Sequence, residues 1–192
     1  AYIDLFSSAG PSTTPPPRAI DLGSGRGEMI RCLNRQGYEA TGVDLNRVAV
    51  MACREEGLNA VHADVLSYLQ DVEPDSVAVM TSLHLVEHLP HGDLFLLLQA
   101  ALKTLAPGGL LLLETPNPRN LLVGAGDFYR DFTHIKPLFP DTLRFLLDYF
   151  GYTRTEIYFF EDADGGRRRR VPAGEIRFDE LNDYLNISRD YA

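Results

Sequence analysis

The feature that most constrains the fold is a regular alternation of short apolar segments with segments of helical periodicity. Strands are predicted at 18–23, 38–45, 58–64, 75–83, 110–115 and 153–160. Helices are predicted at 27–37, 46–57, 65–72, 94–105 and from Asp141 to Gly151. Because several strands are apolar throughout, helices must cover both faces of a parallel sheet. We therefore predict an open doubly wound α/β domain whose ligand lies beyond the carboxyl ends of the strands.

Residues at the helix ends support these boundaries. Asn46 is a predicted N-cap, and Gly57 and Gly151 are predicted stops. The helix at 94–105 has leucines at i, i+3, i+4 and i+7 spacing, and Pro107 with its two following glycines is predicted to end it.

The organisation outside the alternation is less regular. Residues 1–17 are predicted to be an N-terminal segment with a Pro/Ser/Thr linker, 18–160 the main domain, and 161–192 a C-terminal extension. The segment 116–140 has no sustained period and is predicted to be a binding loop. A chain that opens on Ala is expected to be part of a longer, multidomain protein.

Composition excludes some partners and favours one compartment. The net charge of −9 argues against a broad nucleic-acid surface, and the run Arg167 to Arg170 is predicted to be a solvated loop. No apolar run reaches the roughly 18 residues that span a bilayer. Cys32 and Cys53 lack metal-type spacing, which indicates a reducing, cytoplasmic setting.

The loop "DLGSGRGE" between the first strand and the first helix predicts a nucleoside site. Gly23 and Gly25 allow a tight turn and close backbone approach, and Asp44 ends the second strand about twenty residues later, where an acid reaches ribose hydroxyls. Glu28 stands where the dinucleotide fingerprint has its third glycine. Asp21 would repel a pyrophosphate but suits an ammonium group. S-adenosylmethionine is therefore favoured over NAD.

The ordered set "AIDLGSGRGE", "GVDLN", "HAD", "LVEHLP" and "LAPGGLLLLETPNP" resembles the class I S-adenosylmethionine-dependent methyltransferases across about residues 18 to 160. The resemblance implies a Rossmann-like fold, a methyl transfer activity and a set of cofactor-binding residues. The implied residues are Asp21, Gly23, Ser24 and Gly25 for the methionine part, Asp44 for the ribose, Leu45, Asp64 and Val65 for the adenine, and Ser82, Leu83 and His84 for the sulfonium.

The segment from Glu114 to Tyr152 is similar to a narrower group, the methyltransferase domains of bacterial surface-polysaccharide proteins of the O-antigen capping type. This likeness implies a glycan acceptor, and the polar side chains of the 116–140 loop suit a hydroxyl-rich acceptor. The ending "RDYA" resembles the approach to that group's final strand, which we expect to be missing.

The stretch "SLHLVEHLP" contains the pattern H-x-x-E-H, a zinc signature of one peptidase class. It falls at a strand-to-helix junction, and Pro90 follows closely, so we expect no metal. A hydroxyl acceptor loses a proton, and His88, Glu87 and His134 are the candidate bases.

Two other functions stay open. One is O-methylation of a small molecule or RNA, metal-assisted if His84, Glu87, His88 and His134 act as ligands. The other is a cofactor-binding scaffold within a larger protein, which the candidate bases argue against.

Overall fold

A computed structural model describes Phe6, residues 15–159 and residues 190–192. Most of the predicted linker, the predicted extension at 161–189 and the arginine run lie outside the described residues. Among the described residues, no helix has the length and apolar character to cross a membrane.

Six strands form one mixed sheet in the order β3-β2-β1-β4-β5-β6. β1 pairs in parallel with both β2 and β4, and β2 pairs in parallel with β3, whereas β6 is antiparallel to the end of β5. The strands are β1 (Arg18–Leu22), β2 (Glu39–Asp44), β3 (Ala60–His62), β4 (Val77–Leu83), β5 (Leu105–Pro116) and β6 (Asp190–Tyr191). The predicted doubly wound α/β class is confirmed.

Between residues 15 and 159, six helices and two 3₁₀ turns connect the strands. They are α1 (Glu28–Arg35), α2 (Arg47–Glu55), α3 (Val65–Gln70), the turn Val86–His88, α4 (His91–Thr104), α5 (Leu121–Ala125), the turn Asp127–Arg130 and α6 (Pro140–Phe150). The predicted caps are confirmed, since the Asn46 side chain accepts hydrogen bonds from Val48 and Ala49 N–H. Gly57 and Gly151 end α2 and α6 with positive φ.

The chain divides into two compact units. The first comprises Ala1–Val86 with Pro90–Leu113, and the second comprises Glu87–Leu89 with Glu114–Ala192. The core of the first unit contains the buried leucines of α4 and the apolar residues of β1 and β4, including Ile20, Val79 and Met80. The second unit has buried Phe128, Leu138 and Tyr191, and the Tyr191 hydroxyl donates to the Leu138 carbonyl.

Most boundaries differ from the prediction by one to three residues, and the start of β5 differs by five. α4 ends at Thr104, before Pro107, because the N–H groups of Asp75 and Ser76 donate to the carbonyls of Lys103 and Thr104. β5 then begins at Leu105, five residues earlier than predicted.

The sixth strand predicted at 153–160 does not form as a regular strand within the described residues. Pairing is limited to its end, where Tyr158 exchanges two backbone hydrogen bonds with Ala192 and Phe159 forms an isolated bridge to Tyr191. Arg154 has a φ of 58°, which interrupts an extended backbone. The terminal "RDYA", expected to precede a missing strand, itself provides β6.

Gly42 in β2 permits the close packing of α1 on the sheet. A Cβ atom at this position would lie 2.3 Å from Ile30 Cδ1 and 2.6 Å from Ser24 Oγ. Such distances require Ile30 and the glycine loop to move. Only glycine therefore fits this point of the strand without rearrangement.

We predict that Gly42→Ala lowers the free energy of unfolding by about 1–3 kcal/mol, because overpacking strains a well-packed core. Urea denaturation measures the change. Gly92→Ala in α4 is the control, since a Cβ there meets nothing within 4 Å, and it should be neutral or stabilising. Equal stabilities of the wild type and Gly42→Ala would contradict this packing argument.

Candidate functional site

The carboxyl ends of β1 to β4 lie on one edge of the sheet in the first unit. Strand order reverses between β1 and β4, because β2 follows on one side of β1 and β4 lies on the other. In open α/β sheets, such a reversal opens a crevice that binds ligands. All the predicted cofactor-binding residues lie in this unit.

The glycine loop is tied to the end of β2. Gly23 and Ser24 N–H donate to the Val43 carbonyl at 2.8 and 3.2 Å, and Gly25 N–H donates to Asp44 Oδ2 at 2.8 Å. Gly25 has a φ of 49°, and a Cβ built there would meet nothing within 4 Å. The backbone at Gly25 therefore faces open space that a ligand can enter.

Asp44 has a structural role as well as its predicted binding role. Its Oδ1 accepts from Asn46 N–H at 2.7 Å, so each carboxylate oxygen has one backbone donor. A carboxylate has about four lone-pair sites, so Asp44 retains capacity for further donors. Leu45 is 67% exposed and presents an apolar surface next to it.

The predicted adenine-binding pair lies at the start of α3. Asp64 is the N-cap, and its Oδ1 accepts from Ser67 N–H at 2.9 Å and from the Ser67 hydroxyl at 3.1 Å. Among the described residues, no hydrogen bond to Asp64 Oδ2 is seen. Val65 is buried, so its predicted place beside the adenine depends on its backbone more than on its side chain.

Asp21 is buried at the end of β1, only 3% exposed. Thr81 is its register partner on β4 and donates its hydroxyl to Asp21 Oδ1 at 2.7 Å. The pKa of Asp21 is raised to about 7, mainly by burial; the Thr81 hydrogen bond lowers it, and the carboxylates of Asp44 and Glu28 contribute to the rise. Such a group is stabilised as a carboxylate when a cation arrives.

Thr81 was missed in the sequence analysis, although a hydroxyl residue in an otherwise apolar strand was the available signal. Its neighbour Ser82 is buried, and within the described part of the chain neither Ser82 Oγ nor Ser24 Oγ has a hydrogen-bond partner. Leu83 ends β4, and His84 follows with a φ of 52°, an uncommon conformation for a residue with a Cβ.

The predicted bases Glu87, His88 and His134 come together in the second unit. One potential ligand atom from each residue lies within 4.8 Å of those of the other two, and the histidine ring centroids are 4.7 Å apart. Glu87 is 1% exposed, and its Oε2 accepts from the Thr115 hydroxyl at 3.0 Å. Ile135 N–H donates to the Glu87 carbonyl, which joins the 116–140 loop to this cluster.

Hydrogen bonds orient both histidine rings. His134 Nδ1 lies 2.7 Å from the Phe128 carbonyl, and His88 Nδ1 lies 2.9 Å from Thr133 Oγ1. Thr133 in turn donates its hydroxyl to Asp131 at 2.6 Å, and these bonds lower the pKa of the Asp131 carboxyl. The role of Thr133 was missed, because no spacing in the sequence links it to His88, 45 residues earlier.

Comparisons with known proteins establish the family. Residues 1–157 match the family described as "Methyltransferase domain", so the chain belongs to it. A structure described as a SAM-dependent methyltransferase from Archaeoglobus fulgidus aligns with a TM-score of 0.80 and 29% identity, covering 99% of this chain and 87% of that one. The predicted class is thereby confirmed: a methyltransferase domain of the type that uses S-adenosylmethionine.

Other relatives are more distant or only partly covered. The ubiquinone biosynthesis O-methyltransferase of Methylococcus capsulatus is 30% identical over 105 residues, which are 52% of this chain and 44% of the relative. The chain thus spans less than half the length of the curated relatives it matches. A phosphoethanolamine N-methyltransferase of Haemonchus contortus shares the fold, with a TM-score of 0.67 and 21% identity over 83% of this chain and 38% of that one.

The first unit fits S-adenosylmethionine chemically. Asp21 is a buried carboxylate that needs a cation, and the ligand carries an ammonium group. Asp44 has acceptor capacity for ribose hydroxyls, Leu45 offers an apolar surface for a base, and the space beside Gly25 is open. Two carboxylates at adjacent strand ends are unsuited to a pyrophosphate, which agrees with the prediction of S-adenosylmethionine over NAD.

We predict that Asp21 makes stability depend on pH. Its folded-state pKa of about 7 lies above the ordinary 3.8, so the unfolded chain loses the proton first. The stability contributed by the protonated form is complete below about pH 4 and is lost as pH rises to about 7, by up to about 4 kcal/mol. Urea denaturation without cofactor should show this fall in the wild type.

Asp21→Asn is the control, because its amide does not titrate. Other groups with raised pKa values, such as Glu114, titrate in both proteins, so the difference between the two curves isolates Asp21. Parallel curves from pH 4 to 8 would contradict the assignment.

Proposed function

We propose that this domain transfers the methyl group of S-adenosylmethionine to a hydroxyl oxygen of a polar acceptor, a sugar or sugar phosphate of a bacterial surface glycan. The observation that carries the proposal is the cluster of Glu87, His88 and His134, three proton-accepting groups on the segments that follow β4 and β5. A methyltransferase whose acceptor is a hydroxyl needs such groups, because the hydroxyl proton must leave.

In this proposal the residues of the first unit hold the cofactor. Asp21 binds the ammonium group, the open space beside Gly25 admits the methionine part, and Asp44 accepts from the ribose hydroxyls. Asp64 Oδ2 accepts from the adenine amino group while Oδ1 continues to cap α3. The backbone of Ser82 to His84 flanks the sulfonium. These roles follow the predicted assignments for all eleven cofactor residues.

The bound cofactor supplies an electrophilic methyl carbon: the acceptor oxygen bonds to it while the carbon–sulfur bond breaks and leaves a thioether. The protein aligns the acceptor and removes the hydroxyl proton. His134 Nδ1 must carry its proton, because it faces a carbonyl. In the neutral ring its Nε2 carries a lone pair, which can receive the proton of the acceptor hydroxyl.

The acceptor class is supported by the likeness of the 116–140 loop to glycan-modifying domains and by its polar side chains. Arg119 in this loop pairs with Asp141 of α6. A phenolic acceptor is the second candidate, because the matched curated relatives are named ubiquinone biosynthesis O-methyltransferases. Exposed apolar side chains in the loop, Phe132 and Ile135, also suit a ring-bearing molecule.

The same proposal places the domain in the cytoplasm, within a longer multidomain protein. The two cysteines, Cys32 and Cys53, are free thiols, which supports a reducing compartment. The glycan-modifying domains that the sequence resembles are parts of longer proteins.

Transfer of a labelled methyl group tests the acceptor. The chain is incubated with labelled S-adenosylmethionine and, separately, purified surface glycan, catechol-type phenols or short RNA. Label in the glycan supports the proposal, and label in the phenols supports the second candidate. If the folded chain binds no S-adenosylmethionine in calorimetry, the function itself is wrong.

We predict that His88→Gln and His134→Gln each lower kcat by about 10²–10⁴-fold, the usual contribution of acid–base catalysis. Cofactor affinity should stay unchanged, because both residues lie outside the first unit. His91→Gln is the matched control, since His91 is an exposed residue at the start of α4. Full activity in both cluster variants would exclude the cluster from catalysis.

A further inference from the structure

We propose that Glu87, His88 and His134 bind one divalent transition-metal cation. One ligand atom from each side chain lies within 4.8 Å of the other two. Two ligands of one ion with bonds of about 2.0–2.2 Å lie no more than about 4.4 Å apart, so small side-chain rotations would complete the site when an ion binds. The three residues come from two segments, the 3₁₀ turn after β4 and the loop before α6. The H-x-x-E-H pattern alone led us to expect no metal. The site proposed here uses two residues of that pattern, Glu87 and His88, together with His134, and it does not include His84.

The hydrogen bonds of the two rings decide which nitrogen is available. The Phe128 carbonyl can only accept, so His134 Nδ1 carries a proton. Its Nε2 lies 4.0 Å from Asp131 Oδ2, and in the neutral ring this nitrogen carries the lone pair that a cation can bind. Thr133 has a single hydroxyl proton, which it donates to Asp131. The Thr133 oxygen must then accept from His88, so His88 Nδ1 carries a proton. In the neutral ring, His88 Nε2 carries the lone pair.

This arrangement is the one that metal sites require. Histidine ligands almost always donate their other ring N–H to a carbonyl, a carboxylate or a similar acceptor, which fixes the tautomer and the ring orientation. The Phe128 carbonyl does this for His134, and Thr133, held by Asp131, does it for His88. The Thr115 hydroxyl likewise orients the carboxylate of Glu87.

The buried carboxylate of Glu87 also favours a cation at this position. Glu87 is 1% exposed and accepts from the Thr115 hydroxyl, and a cation bound at its carboxylate would add a favourable charge interaction to this hydrogen bond. His88 and His134 lie beside this carboxylate, and in its neutral form each ring can offer one nitrogen lone pair to a cation.

The ligand types select the class of cation. Two of the three donors are imidazoles, which suit zinc, iron and similar ions, whereas magnesium and calcium prefer sites made of oxygen ligands. Two histidines and one carboxylate leave coordination positions open for other molecules. We therefore infer a site for Zn²⁺, Mn²⁺ or Fe²⁺ that is open to substrate.

The role of the cation rests on the proposed function. With a cation bound, the two histidines would act as its ligands and not as direct bases. An acceptor hydroxyl bound at an open position would lose its proton to solvent more readily, because a bound cation lowers the pKa of a coordinated oxygen. The resulting alkoxide oxygen would bond to the methyl carbon as the carbon–sulfur bond breaks. An acceptor with two neighbouring hydroxyls would fill two open positions at once. This favours a vicinal diol, a group that both sugars and catechols contain.

Zinc binding to the untagged full chain tests the site, with a chromophoric chelator as competitor and Mg²⁺ as the comparison ion. We expect one Zn²⁺ per chain and no competition from Mg²⁺ at equal concentration. Glu87→Gln and His134→Gln should each weaken zinc binding at least about 100-fold. Thr133→Val keeps all three ligands and should weaken it about 10–100-fold, the usual effect of removing a group that orients a ligand.

His91→Gln is the matched control and should bind zinc like the wild type. Circular dichroism and S-adenosylmethionine affinity verify that each variant is folded. Absence of stoichiometric zinc binding by the wild type, or equal binding by wild type and His134→Gln, would overturn the metal site. If the chelated chain still transfers methyl groups at the full rate, the cation has no catalytic role, and the histidines act directly as bases. If the folded wild-type chain does not bind S-adenosylmethionine, the proposed function is wrong.

Discussion

The attachment of the glycine loop to the end of β2 is the interaction on which the cofactor site depends. The Val43 carbonyl accepts two loop N–H groups, and Asp44 accepts a third. These bonds position the turn that leads from β1 into α1, and Gly42 lets α1 pack close behind it. A Cβ atom at position 42 would lie too close to the side chains of Ile30 and Ser24, so these side chains would have to move. One glycine inside a strand thus affects the packing of the neighbouring loop.

The first unit was largely predictable from the sequence, because its signals are local. Strands that are apolar on both faces, an Asn46 cap and glycine stops each have a physical cause within a few residues. The hydrogen bond from Thr81 to Asp21 was harder to predict, because it depends on the register between β1 and β4. Once the parallel pairing is known, however, these two residues are exact neighbours, and the buried carboxylate requires a donor.

The second unit was harder to predict because its order comes from long-range contacts. α5 is only five residues long, so it leaves no periodic pattern, and Asn120 starts it by capping Leu122 and Val123 N–H. β6 has two residues and pairs with Thr115 and Pro116. The segment 153–160 has strand-like composition, yet Arg154 turns the backbone with positive φ. Composition could not predict this turn, because arginine rarely adopts a positive φ.

Each unit contains a buried carboxyl group with a pKa raised to about 7, Asp21 in the first and Glu114 in the second. Burial is the main cause in both, and nearby carboxylates raise the pKa further: Asp44 and Glu28 act on Asp21, and Asp190 acts on Glu114. Such groups cost stability at neutral pH, so a fold keeps them only where another requirement outweighs that cost. For Asp21, a cationic ligand at the strand edge would meet this requirement.

In the sequence, the pattern H-x-x-E-H resembles a peptidase signature. In the structure its Glu and second His instead join a distant histidine, because the loop after β5 returns to the turn after β4. The chemistry of the motif is therefore decided by the third residue, which no spacing in the sequence specifies.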